Sequence, residues 1–238
     1  MSQYKVSKII SDVEVCMDEI AQNDAEFEGT QDDTERATII RSKISEAVRF
    51  ILANADWSLL DPDVVISSVS SWEHISSTLY CGRYVFKDTA DDTTATRFLR
   101  LVFAKFASWS RALSQEDLIM WNSPEYSMLR DEYSTGTPER PKIALTYEGK
   151  SKVLELYSTR NTNSDAVSIG IIQEPADISD EGDPNVSIPA RCYRAAIYYI
   201  AGLTYVTYAD ETRSKMMFEQ ASDIIGFTQM AKAAETES

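Results

Sequence analysis

The sequence predicts an α+β fold in which N-terminal helices and a long C-terminal helix pack as a bundle, while central strands form a small antiparallel β element. Apolar residues recur at helical spacing at both ends of the chain and alternate with polar residues in the middle, and apolar types make up 43% of the 238 residues. We divide the chain into a helical part (1–60 with 186–227), a β-rich middle with one short helix (61–185) and a flexible tail (228–238).

Two amphipathic helices are predicted at the start of the chain. Apolar side chains in residues 3–22 share one helical face, and an acidic linker, residues 23–35, follows. Asp33 can cap a second helix, which ends before Asp61-Pro62 because proline biases the preceding residue away from helical geometry. The two apolar faces consist of Val6, Ile9, Val13, Met17 and Ile20, then Ile40, Ile44, Val48, Ile51 and Ala55.

The middle of the chain changes to the alternation that is typical of strands. Apolar positions alternate in 143–147 and return in 153–157, on either side of Gly149-Lys150, and this predicts a β-hairpin. The other predicted elements are strand-like segments at 80–87, 98–107 and 167–171, a loop at 88–96, and a short helix at 124–134 with Pro124 in its first turn.

The longest predicted helix covers residues 189–225 and begins at Pro189. Its first half is apolar on two faces, so two faces must be covered, either at the centre of the core or against a neighbouring copy. In its second half Glu211, Lys215 and Glu219 are spaced four apart on a solvated side. The two apolar stripes are Cys192, Ala196, Tyr199, Leu203 and Val206, then Tyr193, Ile197, Ile200, Thr204 and Tyr208.

The composition argues against several classes of function. The chain carries 38 acidic and 23 basic residues, a net charge of −15, and this balance disfavours tight nucleic-acid binding, although an acidic wall lets DNA pass without sticking. Gly170 and Gly182 are the two closest glycines, so neither common Gly-rich phosphate loop is present. We expect a soluble intracellular product, since no signal sequence is apparent and the longest uncharged apolar stretch, 195–209, is shorter than the ~20 residues a membrane helix needs.

Metal and thiol chemistry also finds little support. Cys16, Cys81 and Cys192 lack metal-ligand spacing and indicate free thiols in a reducing compartment. The acidic loop that begins at Asp177 superficially resembles a calcium loop, but Ile188 stands at the twelfth position, where a bidentate Glu is required. We therefore predict no metal site and no cofactor.

No catalytic residue is predicted. The single histidine, His74, has only its proximity to Cys81 to suggest a nucleophile pair, and we interpret it as an ordinary loop or surface residue. The adjacent Asp91 and Asp92 could serve a hydrolase, but such pairs occur by chance among 38 acids.

A series of segments in the second and third quarters of the chain carries a resemblance. These segments are Phe98-Leu-Arg-Leu-Val-Phe, Trp109-Ser-Arg-Ala-Leu, Tyr133-Ser-Thr-Gly136, Pro141-Lys-Ile-Ala-Leu145 and Val153-Leu-Glu-Leu-Tyr157. With helices before and after them, they resemble the head–tail connector (adaptor or ring) proteins of tailed bacteriophages, especially short-tailed and crAss-like phages. The resemblance covers residues 35–225, and the acidic N-terminal helix and the loop 88–96 depart from it.

The resemblance implies a structural virion protein without catalytic residues. Such a protein assembles in the host cytoplasm and forms a dodecameric ring below the portal at the head–tail junction. The ring extends the DNA channel, retains the packaged genome and docks further ring or tail proteins, while DNA passes through its lumen without tight or sequence-specific binding. Membranes play no part in this role.

The residues that we expect at each contact follow from this implied role. Subunit contacts are expected from the closing helix with the first helix, at Tyr193, Ile197, Tyr199, Ile200, Leu203 and Tyr208. Portal contacts are expected from the C-terminal tail, at Phe227, Met230 and Lys232. The loops 88–96 and 174–185 are expected to face the next ring or the lumen, at Asp91, Asp92, Asp180, Glu181 and Asp183.

Two other classes of function stay open at this point. One is a non-viral, intracellular, non-enzymatic interaction module whose helical face binds a partner helix, and a partner recovered from uninfected cells would favour it. The other is a small carboxylate hydrolase, which would require an activity lost on Asp91→Asn or Asp92→Asn.

Overall fold

The fold is β-sheet-rich α+β, with ten strands in three sheets and five α-helices among the residues that the structure describes. The computed structural model describes residues 1–21, 33–75, 79–86, 97–131, 133–159, 166–175, 177–178 and 182–226. The prediction of a helical bundle with only a small central β element is wrong. Five strands of only three or four residues account for much of the difference, because so short a segment carries too little alternation to be recognised.

The elements are as follows in chain order. The strands are β1 (Ser2–Lys5), β2 (Val64–Ile66), β3 (Ser71–His74), β4 (Tyr80–Phe86), β5 (Phe98–Phe106), β6 (Leu118–Met120), β7 (Ile143–Glu148), β8 (Ser151–Thr159), β9 (Val167–Gln173) and β10 (Asn185–Ile188). The helices are α1 (Val6–Ala21), α2 (Asp33–Asn54), α3 (Pro124–Met128), α4 (Tyr193–Thr207) and α5 (Glu211–Ile225).

The chain divides into two compact units. Unit 1 consists of Met1–Asp61 and Pro175–Ser238, and unit 2 consists of Pro62–Glu174. In unit 1, β1 pairs with β10 in an antiparallel ribbon, and α4 packs against α1, α2 and α5. The predicted first helix therefore begins at Val6 rather than at residue 3, because Ser2–Lys5 form a strand with Asn185–Ile188.

Unit 2 is built from two sheets that share one hydrophobic core. Five strands run in the order β3-β4-β8-β7-β6 and three in the order β2-β9-β5, with β6 parallel to β7 and the other pairs antiparallel. The predicted hairpin is confirmed as β7 and β8 around Gly149, whose φ of 63° suits glycine. The predicted short helix at 124–134 is limited to α3. The shared core includes Phe86, Leu101, Phe106, Trp109, Ile143, Leu154 and Ile169.

The long predicted helix 189–225 is interrupted, and this also overturns the bundle prediction. The chain turns at Tyr208–Asp210, where Ala209 takes a φ of 60°, and the Asp210 carboxylate accepts a hydrogen bond from the Arg213 N–H at 3.0 Å to cap α5. Folding back lets α5 cover one side of α4 while α1 and α2 cover another. The two apolar faces of the helix are thus largely covered within the chain itself.

Candidate subunit interface

The α4–α5 hairpin, residues 193–225, carries the six residues for which the sequence predicts subunit contacts. The two helices approach closely because Gly202 lacks a side chain: a Cβ there would lie 2.6 Å from Cε1 of Phe218. The Phe218 ring in turn packs 4.9 Å from that of Tyr199, which stacks on Phe50 at 4.2 Å, measured between ring centroids. This aromatic row joins α5, α4 and α2.

A groove of about 700 Å³, the α4–α5 groove, opens at the turn end of the hairpin. Val206, Ala209 and Phe218 supply its apolar surface, and the Val206 side chain is 55% exposed. The remaining lining residues are polar or charged: Glu211, Ser214, Lys215, Glu219 and Ser222. Protein-binding surfaces likewise combine apolar and polar side chains.

A second concavity of about 470 Å³, the arginine pocket, lies between the start of α4 and the end of α5. Arg194 donates from Nε and Nη2 to the Tyr198 hydroxyl at 2.8 and 2.6 Å, and Arg191 donates from Nη1 to the Ser58 carbonyl at 2.9 Å. The arginine pocket and the α4–α5 groove share no lining residue; those of the pocket are Arg191, Arg194, Tyr198, Gln220, Asp223 and Ile224.

Two of the six predicted subunit-contact residues are buried within unit 1, and a third, Tyr193, is half-buried and held by contacts there. Ile200 is fully buried and Ile197 is 6% exposed, so both contribute to the core of unit 1. The Tyr193 ring stacks on Tyr4 at 4.0 Å, and its hydroxyl donates to the Asp12 carboxylate. Burial, followed by this hydrogen bond, raises the pKa of Tyr193.

The other three residues also keep part of their surface. Tyr199, Leu203 and Tyr208 are each half-buried, and the buried Tyr208 hydroxyl finds no hydrogen-bond partner among the described residues. An unsatisfied buried hydroxyl is costly unless a further group reaches it. These three residues lie on the hairpin that carries the two concavities.

Most residues predicted to contact the portal, the next ring or the lumen lie outside the described residues: Phe227, Met230, Lys232, Asp91, Asp92, Asp180 and Glu181. Asp183 is described, and it fixes the start of α1. Its two carboxylate oxygens accept hydrogen bonds from the Ser7 N–H at 2.8 Å and the Ser7 hydroxyl at 2.9 Å, with Lys5 at 3.8 Å. The backbone hydrogen bond from Ser7 is the main reason that the pKa of Asp183 is lowered.

A buried carboxylate network in unit 2 escaped the sequence analysis. Glu155 is fully buried, and its Oε2 accepts hydrogen bonds from the hydroxyls of Tyr157 at 2.8 Å and Tyr126 at 3.0 Å. Its Oε1 lies 3.3 Å from Nε of Arg83 and 4.0 Å from Nη2 of Arg130. Burial is the largest cause of the raised pKa of both tyrosines, so they remain protonated donors. The network ties α3 and the segment after it to the five-stranded sheet.

One signal could have revealed Glu155: it is an acidic residue inside the otherwise apolar run Val153–Tyr157. An acid at such a position needs partners, because an unpaired buried charge is very costly. Those partners come from β4, α3 and β8 itself, and their convergence is not visible in the order of the residues.

The remaining candidates for chemistry are in ordinary surroundings. His74 is exposed, with its ring 4.9 Å from that of Tyr80, and the three cysteines are buried thiols. Burial raises the pKa of Cys81, which disfavours the thiolate. In the calcium-like segment Asp177 pairs with Arg49 at 3.6 Å, and nowhere in the described part of the chain do three or more metal-ligating side chains gather.

Comparison with known proteins gives this site no name: no family model matches the chain, and no curated protein is significantly similar to it. Within the described ranges, none of the helices combines the length and the apolar character needed to span a membrane.

Proposed function

We propose that this chain is a structural virion protein that forms a ring, with twelve copies as the resemblance implies, below the portal at a phage head–tail junction. The observation that supports it best is the pair of separate concavities on the α4–α5 hairpin. A closed ring uses head-to-tail contacts, in which each copy presents two different surfaces to its two neighbours. The α4–α5 groove and the arginine pocket are our candidates for these two surfaces.

The charge of the chain fits a DNA conduit. Each copy carries a net charge of −15, so a ring of copies repels the phosphate backbone instead of exchanging counterions with it. Packaged DNA therefore passes through without tight binding, while portal and tail proteins dock on the ends of the ring. The proposed location is the virion, after assembly in the host cytoplasm.

The test is the mass of the full chain under native conditions, alone and mixed with the portal protein. We expect closed rings, and we expect Val206→Glu to weaken them because it places a charge among the apolar lining residues of the α4–α5 groove. Met216→Glu is the matched control, since Met216 is exposed on α5 but does not line that groove. A chain that stays monomeric with and without portal would contradict the proposal.

The tail supplies a second test of the same role. Deleting residues 228–238 should abolish portal docking while the far-ultraviolet circular dichroism of the chain stays unchanged. Unchanged docking would refute the assignment of the tail to the portal, and the ring itself would be unaffected.

A further inference from the structure

The two arginines of the arginine pocket differ from six other arginines among the described residues. In those six a carboxylate lies within 4 Å of the guanidinium: the pairs are Arg36–Asp18, Arg49–Asp177, Arg83–Glu155, Arg111–Asp117, Arg130–Glu73 and Arg213–Asp210. Among the described residues, no carboxylate lies within 4 Å of either Arg191 or Arg194. Their side-chain donors go to an uncharged carbonyl and an uncharged phenol, so neither guanidinium is directly paired with a carboxylate.

The pocket holds these charges in place and leaves donors available. Arg191 and Arg194 are three residues apart, which puts their side chains on neighbouring positions of one helical surface. The Arg194 guanidinium lies 5.3 Å from the centre of the Tyr198 ring, and Ser58 anchors Arg191. Each guanidinium has five N–H donors, more than these bonds use. Ile224 adds an apolar wall, and Asp223 leaves one net positive charge in the pocket.

We propose that the arginine pocket receives a carboxylate-bearing segment from the next copy of this chain, and so forms one side of the contact between ring neighbours. This inference rests on the proposed ring. Copies that each carry −15 repel one another, so a contact between them needs a local cation opposite an acidic surface. With 38 acids against 23 bases, an incoming copy presents mostly carboxylates, and bidentate arginine pairing suits that group.

A nucleic-acid phosphate is the competing occupant, and the pocket suits it less well. Binding a DNA backbone requires a row of cations that neutralises several phosphates, whereas this pocket offers two arginines and also an acid, Asp223, on its α5 side. A single protein carboxylate beside an apolar side chain fits the combination of two arginines and Ile224.

The experiment compares ring stability between the full-length wild-type chain and the double charge reversal Arg191→Glu/Arg194→Glu, by sedimentation velocity over a range of protein and salt concentrations. The matched control is Arg140→Glu/Lys150→Glu, which changes the net charge equally at two exposed positions of unit 2. We expect the reversal to raise the dissociation constant between copies at least ~10-fold and the control to change it little. If the reversal disturbs the circular dichroism, Arg191→Gln/Arg194→Gln replaces it.

The outcomes separate the inference from the proposed function. Wild-type rings with unchanged stability in the reversal would overturn the inference and leave the ring intact. A wild-type chain that forms no ring, even with portal, would overturn the proposed function and the inference with it. If the reversal leaves the rings unchanged but weakens a gel shift with double-stranded DNA, the pocket is a phosphate site and the inference is wrong.

Discussion

Replacing the buried carboxylate Glu155 by Gln should destabilise unit 2 more than any exposed acid-to-amide change. The substitution keeps the shape of the side chain but removes the charge that accepts hydrogen bonds from Tyr157 and Tyr126. It also replaces one carboxylate oxygen by an amide NH2 group. The N–H donors of this group then face either the tyrosine hydroxyls or Arg83, which are donors themselves. The side chain is 1% exposed, so water cannot take over these contacts.

The magnitude follows from the number of contacts that lose charge assistance. A hydrogen bond to a charged group contributes about 1.5–3 kcal/mol and a neutral one about 0.5–1.5 kcal/mol, so each tyrosine contact loses about 1 kcal/mol. Arg83 loses its buried partner but keeps Glu148 at 3.5 Å. We expect a decrease of roughly 2–4 kcal/mol in the free energy of unfolding.

Urea unfolding followed by tryptophan fluorescence measures this change, because the buried Trp109 lies in the core of unit 2. Glu148→Gln is the matched control: the Glu148 side chain pairs with the same arginine but is 62% exposed, so its loss should cost less than about 0.5 kcal/mol. Equal stability of the two variants would refute the view that Glu155 holds α3 on the sheet.

Three further predictions concern the backbone, the pH dependence and the thiols. Gly136→Ala should lower the free energy of unfolding by at least about 1 kcal/mol more than Gly149→Ala. Both glycines have positive φ, but only a Cβ at Gly136 would meet the backbone, 2.6 Å from a carbonyl oxygen. Equal losses of stability in urea unfolding would contradict this. Because folding lowers the pKa of Asp183, its carboxylate stabilises the fold at pH values above its unfolded pKa, and this stabilisation is lost as the pH falls through the folded pKa. The Ser7 amide resonance should therefore shift in acid in the wild-type chain and not in Asp183→Asn. Burial raises the pKa of Cys192 to about 11, so Ellman's reagent at pH 8 should modify this thiol only after unfolding, and rapid modification of the native chain would show that the site opens.

Sequence reasoning succeeded where a pattern is local and repeated. The hairpin of β7 and β8 was predicted because alternation persists on both sides of Gly149, and α1 and α2 were predicted because apolar residues recur at helical spacing. Both signals depend only on neighbours along the chain.

Prediction from the sequence fails where a partner far along the chain decides the conformation. Ser2–Lys5 form a strand because Asn185–Ile188 pair with them, and no residue in either segment indicates the other. Helical spacing of apolar residues continues through the turn at Ala209, so the sequence predicts one helix over 189–225. Nothing marks the turn, because the residue with positive φ there is not a glycine. The same limit hid the arginine pocket, since its two walls come from α4 and α5 only after the chain folds back.

The interrupted make-up of unit 1 has a consequence for synthesis on the ribosome. Met1–Asp61 are synthesised before unit 2, but their helices α1 and α2 meet α4 only after the later segment, Pro175–Ser238, has been made, whereas unit 2 is one continuous stretch that can fold between these events. The apolar surface that α1 and α2 present to α4 therefore stays uncovered until the segment that carries α4 has been made.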